Sequence, residues 1–322
     1  MSAAEFVDLV SLDAIRDAAR RIAPFVRRTP LVPATDDGRF PGFWLKCENL
    51  QVAGAFKIRG AANMVRQLDA DALRRGVITY SSGNHGQALA CIAAELGVPA
   101  VIVMPSTAPS VKVDGARAYG ADVVFAGTTS ADRKREAERI RDERGLIMVP
   151  PFDHPWIIAG QGTLGLEILE DVPDATDIYV PVGGGGLLSG VAAAVKRIRP
   201  STRVIGVEPE GGAKMSRSLA AGAPVTLERT ASIADGLLPV RPGDLTFAHV
   251  RALVDDVVTV SDDAIAAAVR WLARESHLVV EPSGAASVAA ALARPWPPAS
   301  HVVAVVSGGN VAPDRFAELV KT

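Results

Sequence analysis

The sequence predicts an α/β protein in which helices cover parallel sheets that are divided between two lobes. Three observations lead to this prediction. Short β-branched runs alternate with longer helical patterns along the chain. The run Val302–Val306 is apolar at every position, as in a strand buried on both faces of a parallel sheet. The length of 322 residues favours two lobes over a single hydrophobic core.

The first element predicted is an amphipathic helix within residues 1–28, where Val10, Ile15, Ala18 and Ile22 recur at helical spacing. Strands are predicted where β-branched residues cluster: Gly76–Tyr80, Ala100–Met104, Val123–Phe125, Asp177–Val180, Arg203–Val207 and His301–Val306. Helices are predicted between the strands, including Gln87–Leu96, Val111–Tyr119, Ala131–Arg144, Leu187–Ile198 and Asp262–Glu275.

Composition is that of a globular protein and excludes several other classes. The chain is 48% hydrophobic and 22% charged, with a formal net charge of −2. Such a balance predicts neither disorder nor a field that attracts nucleic acid or an anionic membrane. Residues 178–195 lack charge over 18 positions, but Pro181 and five glycines predict a strand, a turn and a helix there. With no signal peptide pattern and two widely spaced cysteines, we expect a cytoplasmic protein.

Lys57 is the first candidate functional residue. It stands among the apolar neighbours Ala55, Phe56 and Ile58, which predict a partly desolvated amine. Desolvation lowers the pKa of a lysine and makes it a nucleophile able to form a Schiff base with an aldehyde. The alternative is an ordinary surface lysine, which these neighbours disfavour.

Two further segments stand between a predicted strand and a predicted helix. Ser81-Ser82-Gly83-Asn84-His85 would present free backbone N–H groups and the positive end of a helix dipole, which suits a carboxylate. The four glycines of 183–186 would let the backbone approach a phosphate closely. Taken alone, the segment Ser81–His85 is also typical of an ordinary helix N-cap. For residues 183–186 the alternative is a tight structural turn, which would need fewer than four glycines.

Other catalytic motifs are not present. The glycine run is not followed by the third glycine of G-x-G-x-x-G, and neither a phosphate-binding G-x-x-x-x-G-K-[ST] nor H-E-x-x-H occurs. The five histidines are dispersed without metal-ligand spacing. Of these, His85 alone lies in one of the segments above.

Together with Thr29-Pro30-Leu31 and Ser307-Gly308-Gly309-Asn310, these motifs resemble fold-type II pyridoxal 5'-phosphate (PLP) enzymes, the tryptophan synthase β-like fold. Within that fold the chain is similar to the serine/threonine dehydratase (threonine ammonia-lyase) and serine racemase family, over nearly its whole length. The resemblance implies two parallel-sheet α/β lobes with PLP in the cleft between them. It further implies a large PLP-binding domain of residues 1–50 and 151–322, a small mobile domain of residues 51–150, and a homodimer.

The resemblance also implies a role for each motif residue. Lys57 would carry the cofactor and take the α-proton of the substrate, and Ser82 matches the acid/base on the opposite face of PLP in serine racemases. The remaining cofactor-binding residues would be Phe56, Asn84, Gly183, Gly184, Gly185, Gly186, Leu187, Gly236 and Ser307. The substrate carboxylate would be bound by Ser81, Ser82, Gly83, Asn84 and His85.

The expected reaction is dehydration and deamination of L-threonine, and of L-serine, to 2-oxobutanoate or pyruvate and ammonia. A small 3-hydroxy amino acid is thus the expected partner, without nucleic acid or membrane. Serine racemisation and ammonia release from threo-3-hydroxyaspartate are the alternatives within the family. A non-catalytic PLP-binding homologue is the alternative outside enzymes, and the intact Lys57, Asn84 and Ser307 disfavour it.

The sequence departs from the family pattern at two places. Ala55 stands where many members have serine. Glu208 matches a ligand of the family's divalent-cation site, but Lys214 occupies the place of the aspartate that usually accompanies it. We therefore expect no metal, with the Lys214 ammonium pairing with Glu208. The alternative is a solvated Lys214 at a helix start with Glu208 capping a loop.

Overall fold

The structure is a computed structural model and describes residues 8–35, 40–81, 83–108, 110–297 and 299–321. The strands are β1 Leu31–Pro33, β2 Phe43–Cys47, β3 Val77–Thr79, β4 Ala100–Met104, β5 Asp122–Phe125, β6 Ile147–Met148, β7 Asp177–Pro181, β8 Arg203–Pro209, β9 Asp256–Val260 and β10 Val302–Val306. The helices are α1 Leu12–Ile22, α2 Lys57–Val65, α3 Ala70–Arg75, α4 Asn84–Glu95, α5 Ser110–Ala118, α6 Ser130–Arg144, α7 Pro155–Asp171, α8 Gly186–Ile198, α9 Lys214–Ala221, α10 Asp244–Leu253, α11 Asp262–Glu275, α12 Pro282–Leu292 and α13 Pro313–Val320.

Within the described residues the strands form two sheets. The larger has the order β1-β2-β10-β7-β8-β9, and its strands are parallel apart from the antiparallel pair of β1 and β2. The smaller has the order β5-β4-β3-β6 and is entirely parallel. The predicted α/β class with two parallel-sheet lobes is therefore confirmed.

Side chains of β10 show how the larger sheet is buried. Val302, Ala304 and Val306 point into one hydrophobic cluster, while Val303 and Val305 point into another on the opposite face. All five side chains are inaccessible to solvent. This alternation is the period of a strand, and it confirms the expectation that helices cover both faces.

Strand membership separates the two lobes along the chain. The smaller sheet uses residues 77–148, and the larger uses residues 31–47 and 177–306. We propose on this basis that the small domain spans residues 51–150 and the large domain residues 1–50 and 151–322.

The sequence patterns differ from the structure in a few elements. The patterns did not predict β1, β2, β6 and β9, and α4 begins at Asn84 rather than at Gln87. Residues 178–195 fold as a strand, a turn and a helix, as expected. No helix in the described ranges is long and apolar enough to cross a membrane.

Candidate active site

A cavity of about 370 Å³ opens between the two sheets, at the carboxyl ends of their strands. Segments that are far apart in sequence meet there because parallel strands end at a common edge. Ser81 follows β3, Gly183 follows β7 and Ser307 follows β10, and all three residues line the cavity. Lys57 lines the same cavity from the first turn of α2.

The amine of Lys57 lies in an apolar part of the cavity wall. Its Nζ donates a hydrogen bond to the carbonyl oxygen of Pro151 at 2.7 Å and lies 5.0 Å from the centre of the Phe56 ring. Burial lowers the pKa of Lys57 from 10.5 to about 8. A larger fraction of the amine than in an ordinary lysine is therefore neutral near physiological pH and able to act as a nucleophile or a base.

Asn84 opens helix α4 and is held by side chains from the other lobe. Its Nδ2 donates to Oε1 of Glu281 at 2.6 Å, and its Oδ1 accepts from Nδ2 of Asn310 at 2.9 Å. The preceding Gly83 provides no side-chain cap, so the first N–H groups of α4 remain available at the cavity. This arrangement fixes the Asn84 amide and offers donors for a carboxylate.

His85 is buried beneath the same helix start. Its Nε2 lies 3.0 Å from the carbonyl oxygen of Val149, so this nitrogen must carry the proton. Burial lowers the pKa of His85 to about 3, with a smaller contribution from the charge of Lys57. The imidazole is therefore neutral. Ser82, the predicted racemase acid/base, lies outside the described residues, while Ser81 and Gly83 beside it line the cavity.

The glycine run forms a turn between β7 and α8. Gly185 is the N-cap of α8 with φ of +100°, a left-handed conformation that glycine adopts without strain. A methyl group on Gly184 would overlap the ring of Phe152. Thr246 stabilises the turn, because its Oγ1 donates a hydrogen bond to the carbonyl oxygen of Gly184 at 2.7 Å. The turn thus presents bare backbone at the N-terminus of a helix, which is an anion-binding geometry.

Ser307 and the Lys57 segment are joined by backbone pairing. The N–H of Phe56 donates to the carbonyl of Ser307 at 3.1 Å, and Ala55 forms an isolated antiparallel bridge with Gly308. Ser307 itself is buried at the end of β10. Gly236, on the opposite wall, donates its N–H to Oγ of Ser283 at 2.8 Å. The cavity therefore brings together the described residues that were predicted to bind cofactor.

Glu208 and Lys214 do not line the cavity but lie beneath the glycine turn 183–186. Both side chains are inaccessible to solvent, and the ammonium lies 3.0 Å from the carboxylate. Lys214 is thus buried and paired rather than solvated, while Glu208 also caps a helix, since it accepts the N–H of Met215 at 2.9 Å.

Apart from Lys57, the sequence patterns missed the described charged residues that line the cavity, which are Arg133, Asp235, Arg241 and Glu281. Glu281 lines the wall beside Asn84. Burial is the main cause that raises the pKa of Glu281 to about 8, and the negative charge of Asp235 is the second cause. The signal available in the sequence was an acidic residue between Val280 and Pro282 in an otherwise apolar run. Arg133, in the first turn of α6, also lines the cavity. Helical spacing could not show which arginine of α6 turns toward the other lobe.

The residues of the cavity fit the predicted cofactor. Lys57 supplies an amine for the aldehyde of PLP, and the turn 183–186 supplies backbone donors and a helix N-terminus for its phosphate. Side chains at Gly184 and Gly185 would overlap Phe152, Met215 and Thr246, so this close-packed turn requires glycine at both positions and leaves its backbone bare. Asn84 and Ser307 provide polar groups between these two ends.

Comparisons with known proteins agree with this site. The family model described as "Pyridoxal-phosphate dependent enzyme" matches residues 22–308. A serine racemase of Oryza sativa subsp. indica is 45% identical over 308 residues, covering 93% of this chain and 91% of that protein. An L-threonine ammonia-lyase of Thermotoga maritima is 42% identical over 305 residues, covering 94% of this chain and 76% of that protein.

A solved structure extends the likeness to the whole fold. The structure of maize serine racemase matches with a TM-score of 0.92 at 42% identity, covering 97% of both chains. This likeness, the family match and the fitted cavity lead to the same conclusion. The chain is an enzyme of the pyridoxal-phosphate dependent family that includes serine racemases and L-threonine ammonia-lyases, and its cofactor is PLP.

Proposed function

We propose that this enzyme dehydrates and deaminates L-threonine, and L-serine, to 2-oxobutanoate or pyruvate and ammonia. The observation that carries the proposal is the amine of Lys57, with its pKa lowered to about 8, in one cavity with the hydroxyl of Ser307. Ser307 would meet the ring nitrogen of PLP with a hydroxyl, which, unlike a carboxylate, would not force that nitrogen to be protonated. This partner favours expulsion of a β-hydroxyl over transamination.

Bound PLP withdraws electrons from the α-carbon of the substrate and so makes its α-proton acidic. Lys57 accepts that proton at Nζ, which its lowered pKa allows near neutral pH. The backbone N–H groups at the start of α4 hold the substrate carboxylate. Loss of the proton and the β-hydroxyl removes one water, and hydrolysis of the released enamine gives the 2-oxo acid and ammonia.

Arg133 favours a second substrate, threo-3-hydroxyaspartate. The residue lines the cavity, and its Nε is buried with no hydrogen-bond partner among the described residues. Its Nη2 donates to Oγ of Ser130 at 2.8 Å, so the free edge of the guanidinium remains for a ligand. A guanidinium with free donors binds carboxylates strongly, and a β-carboxylate on the substrate would supply one.

Serine racemisation is the third reaction to be tested, because the rice and maize proteins above are serine racemases. A racemase needs a second acid/base opposite Lys57, and Ser82 is our candidate for that role.

A substrate panel tests these proposals. We would measure 2-oxo acid release from L-threonine, L-serine and L-threo-3-hydroxyaspartate, together with D-serine formation from L-serine. Lys57→Ala serves as the inactive control, because it removes both the amine that attaches PLP and the base that accepts the α-proton. Release of 2-oxobutanoate from L-threonine supports the main proposal. Formation of D-serine without any 2-oxo acid would overturn it.

Arg133→Met is expected to discriminate between the substrates. We expect kcat/KM for 3-hydroxyaspartate to fall by about 10- to 100-fold, the scale of a lost hydrogen bond to a charged group, with a smaller change for L-threonine. Arg135→Met is the matched control, since Arg135 lies on the exposed face of α6 and pairs with Asp132 at 2.6 Å. An equal loss for both substrates would assign Arg133 to the folding of α6 instead.

A further inference from the structure

A fully buried ammonium lies within a cage of oxygen atoms below the cavity. Lys214 Nζ lies 3.0 Å from Oε1 of Glu208. It also donates to the carbonyl oxygens of Val182 at 2.9 Å, Leu237 at 3.0 Å and Gly212 at 3.1 Å. One carboxylate and three carbonyls are the kind of oxygen set that binds a hard cation, and here the cation is part of the chain.

The carboxylate of this cage is held in place independently of Lys214. Glu208 Oε1 accepts from the N–H of Met215 at 2.9 Å. Its Oε2 accepts from the N–H and the hydroxyl of Ser216, at 2.9 and 2.8 Å. These donors belong to the first turn of α9, whose dipole favours a negative charge. Glu208 therefore presents a fixed carboxylate that requires a positive partner, because an unpaired buried charge is costly.

Two of the three carbonyls of the cage belong to segments that form the wall around the predicted phosphate site. Val182 immediately precedes the glycine turn 183–186, and Leu237 immediately follows Gly236. The two segments touch, since a methyl group on Gly183 would lie 3.0 Å from the carbonyl oxygen of Gly236. The ammonium thus joins the two backbone segments that line the predicted phosphate site.

We propose that Lys214 is a built-in cation that fixes the glycine turn and the turn at 235–237 in the arrangement that binds the PLP phosphate, in place of a metal ion. The proposal concerns cofactor binding and does not depend on which amino acid is the substrate. Burial lowers the pKa of Lys214, and the charge of Glu208 opposes this effect. Lys214 is a positioning residue, because it acts on the phosphate through the backbone carbonyls.

The chain contains a matched control at the other end of β8. Lys196 Nζ lies 2.7 Å from Asp255 and donates to the carbonyls of Thr202 at 2.8 Å and Pro200 at 3.2 Å. Its surroundings resemble those of Lys214, but neither it nor these partners line the cavity. Loss of either ammonium should lower the melting temperature, while only Lys214 should change cofactor binding.

The experiment compares Lys214→Met and Lys196→Met by equilibrium dialysis of PLP and by the phosphorus NMR signal of the bound cofactor. We expect the Kd for PLP to rise by about tenfold or more in Lys214→Met, the scale for losing a group that orients the ligands of a site. The phosphorus signal should shift or broaden in that variant. Both readouts should stay near wild type in Lys196→Met. A wild-type Kd and phosphorus signal in Lys214→Met would overturn the proposal.

Metal dependence provides a second test, which remains decisive if Lys214→Met does not fold. In wild type, PLP affinity and melting temperature should not change with EDTA or added magnesium. In Lys214→Asp, which restores a carboxylate pair, PLP affinity should fall in EDTA and recover with millimolar magnesium. Wild-type protein that loses PLP affinity in EDTA and regains it with magnesium would show that a metal, not Lys214, holds these turns.

Discussion

At the scale of single residues, burial moves three titratable groups of the cavity toward their neutral forms. The pKa of Lys57 is lowered to about 8, that of His85 is lowered to about 3, and that of Glu281 is raised to about 8. At neutral pH the imidazole is uncharged, the carboxyl is mostly protonated and the amine is partly neutral. Apart from the lining arginines such as Arg133, the charges of phosphate and carboxylate are therefore left to the helix N-termini and the backbone.

Glu281 makes a testable contribution to the pH dependence of stability. Its pKa is about 8 in the folded chain against 4.5 for the free group, so between these values the folded state binds more protons than the unfolded state. Stability is then lost as pH rises through this window, at up to about 1.4 kcal/mol per pH unit. In Glu281→Gln, which keeps an oxygen for Asn84, we expect this loss to disappear. The variant should gain stability relative to wild type from pH 5 to pH 8.

Urea unfolding at pH 5, 6.5 and 8 would measure this effect, with Glu210→Gln as the control because Glu210 is exposed. Parallel stability curves for Glu281→Gln and wild type would contradict the raised pKa of Glu281.

At the scale of elements, strand ends explain why motifs more than a hundred residues apart meet in one cavity. Asn84 and the glycine turn could be predicted because each stands between a strand and a helix, whereas Lys57 was predicted from its apolar neighbours and Ser307 from the family resemblance. Strand β2 could not, since the buried Lys46 interrupts its apolar pattern and is compensated by Glu167 at 2.6 Å, 121 positions away. Likewise, the positions of Glu281 and Arg133 depend on the contact between lobes, which a local pattern does not encode.

The turn before α8 allows a prediction at this scale. In Gly185→Ala an alanine must adopt the left-handed backbone conformation, which costs about 1–2 kcal/mol. Its Cβ would also lie 2.9 Å from atoms of Thr246 and Met215. We expect the turn to shift and the Kd for PLP to rise by about tenfold, which corresponds to about 1.4 kcal/mol. Fluorescence titration of the cofactor would measure this change.

Gly222→Ala is the matched control for backbone strain. Gly222 ends α9 with φ of +72°, and a methyl group there would meet open space. The variant should lose stability without losing PLP affinity. If both alanine variants bound PLP as tightly as wild type, the turn 183–186 would not be the phosphate site.

At the scale of the whole molecule, an ion pair between partly exposed side chains joins the two lobes across the cavity. Lys112 of α5, beside the smaller sheet, lies 2.6 Å from Asp235 in the turn before Gly236. The side chains are 24% and 59% exposed, so the pair contributes little to the free energy of unfolding. Because Asp235 lines the cavity, the pair can instead favour the closed arrangement of the lobes around the substrate.

Lys112→Met should therefore change substrate binding rather than stability. We expect KM for the amino acid to rise about two- to fivefold, the ratio that corresponds to about 0.5–1 kcal/mol for an exposed pair, with kcat and melting temperature nearly unchanged. Salt screens such a pair, so the KM of wild type should rise with ionic strength and that of the variant should not. Lys134→Met is the control, since Lys134 pairs with Glu138 within α6 at 3.8 Å. If Lys112→Met kept the wild-type KM and its salt dependence, the pair would play no part in closing the lobes.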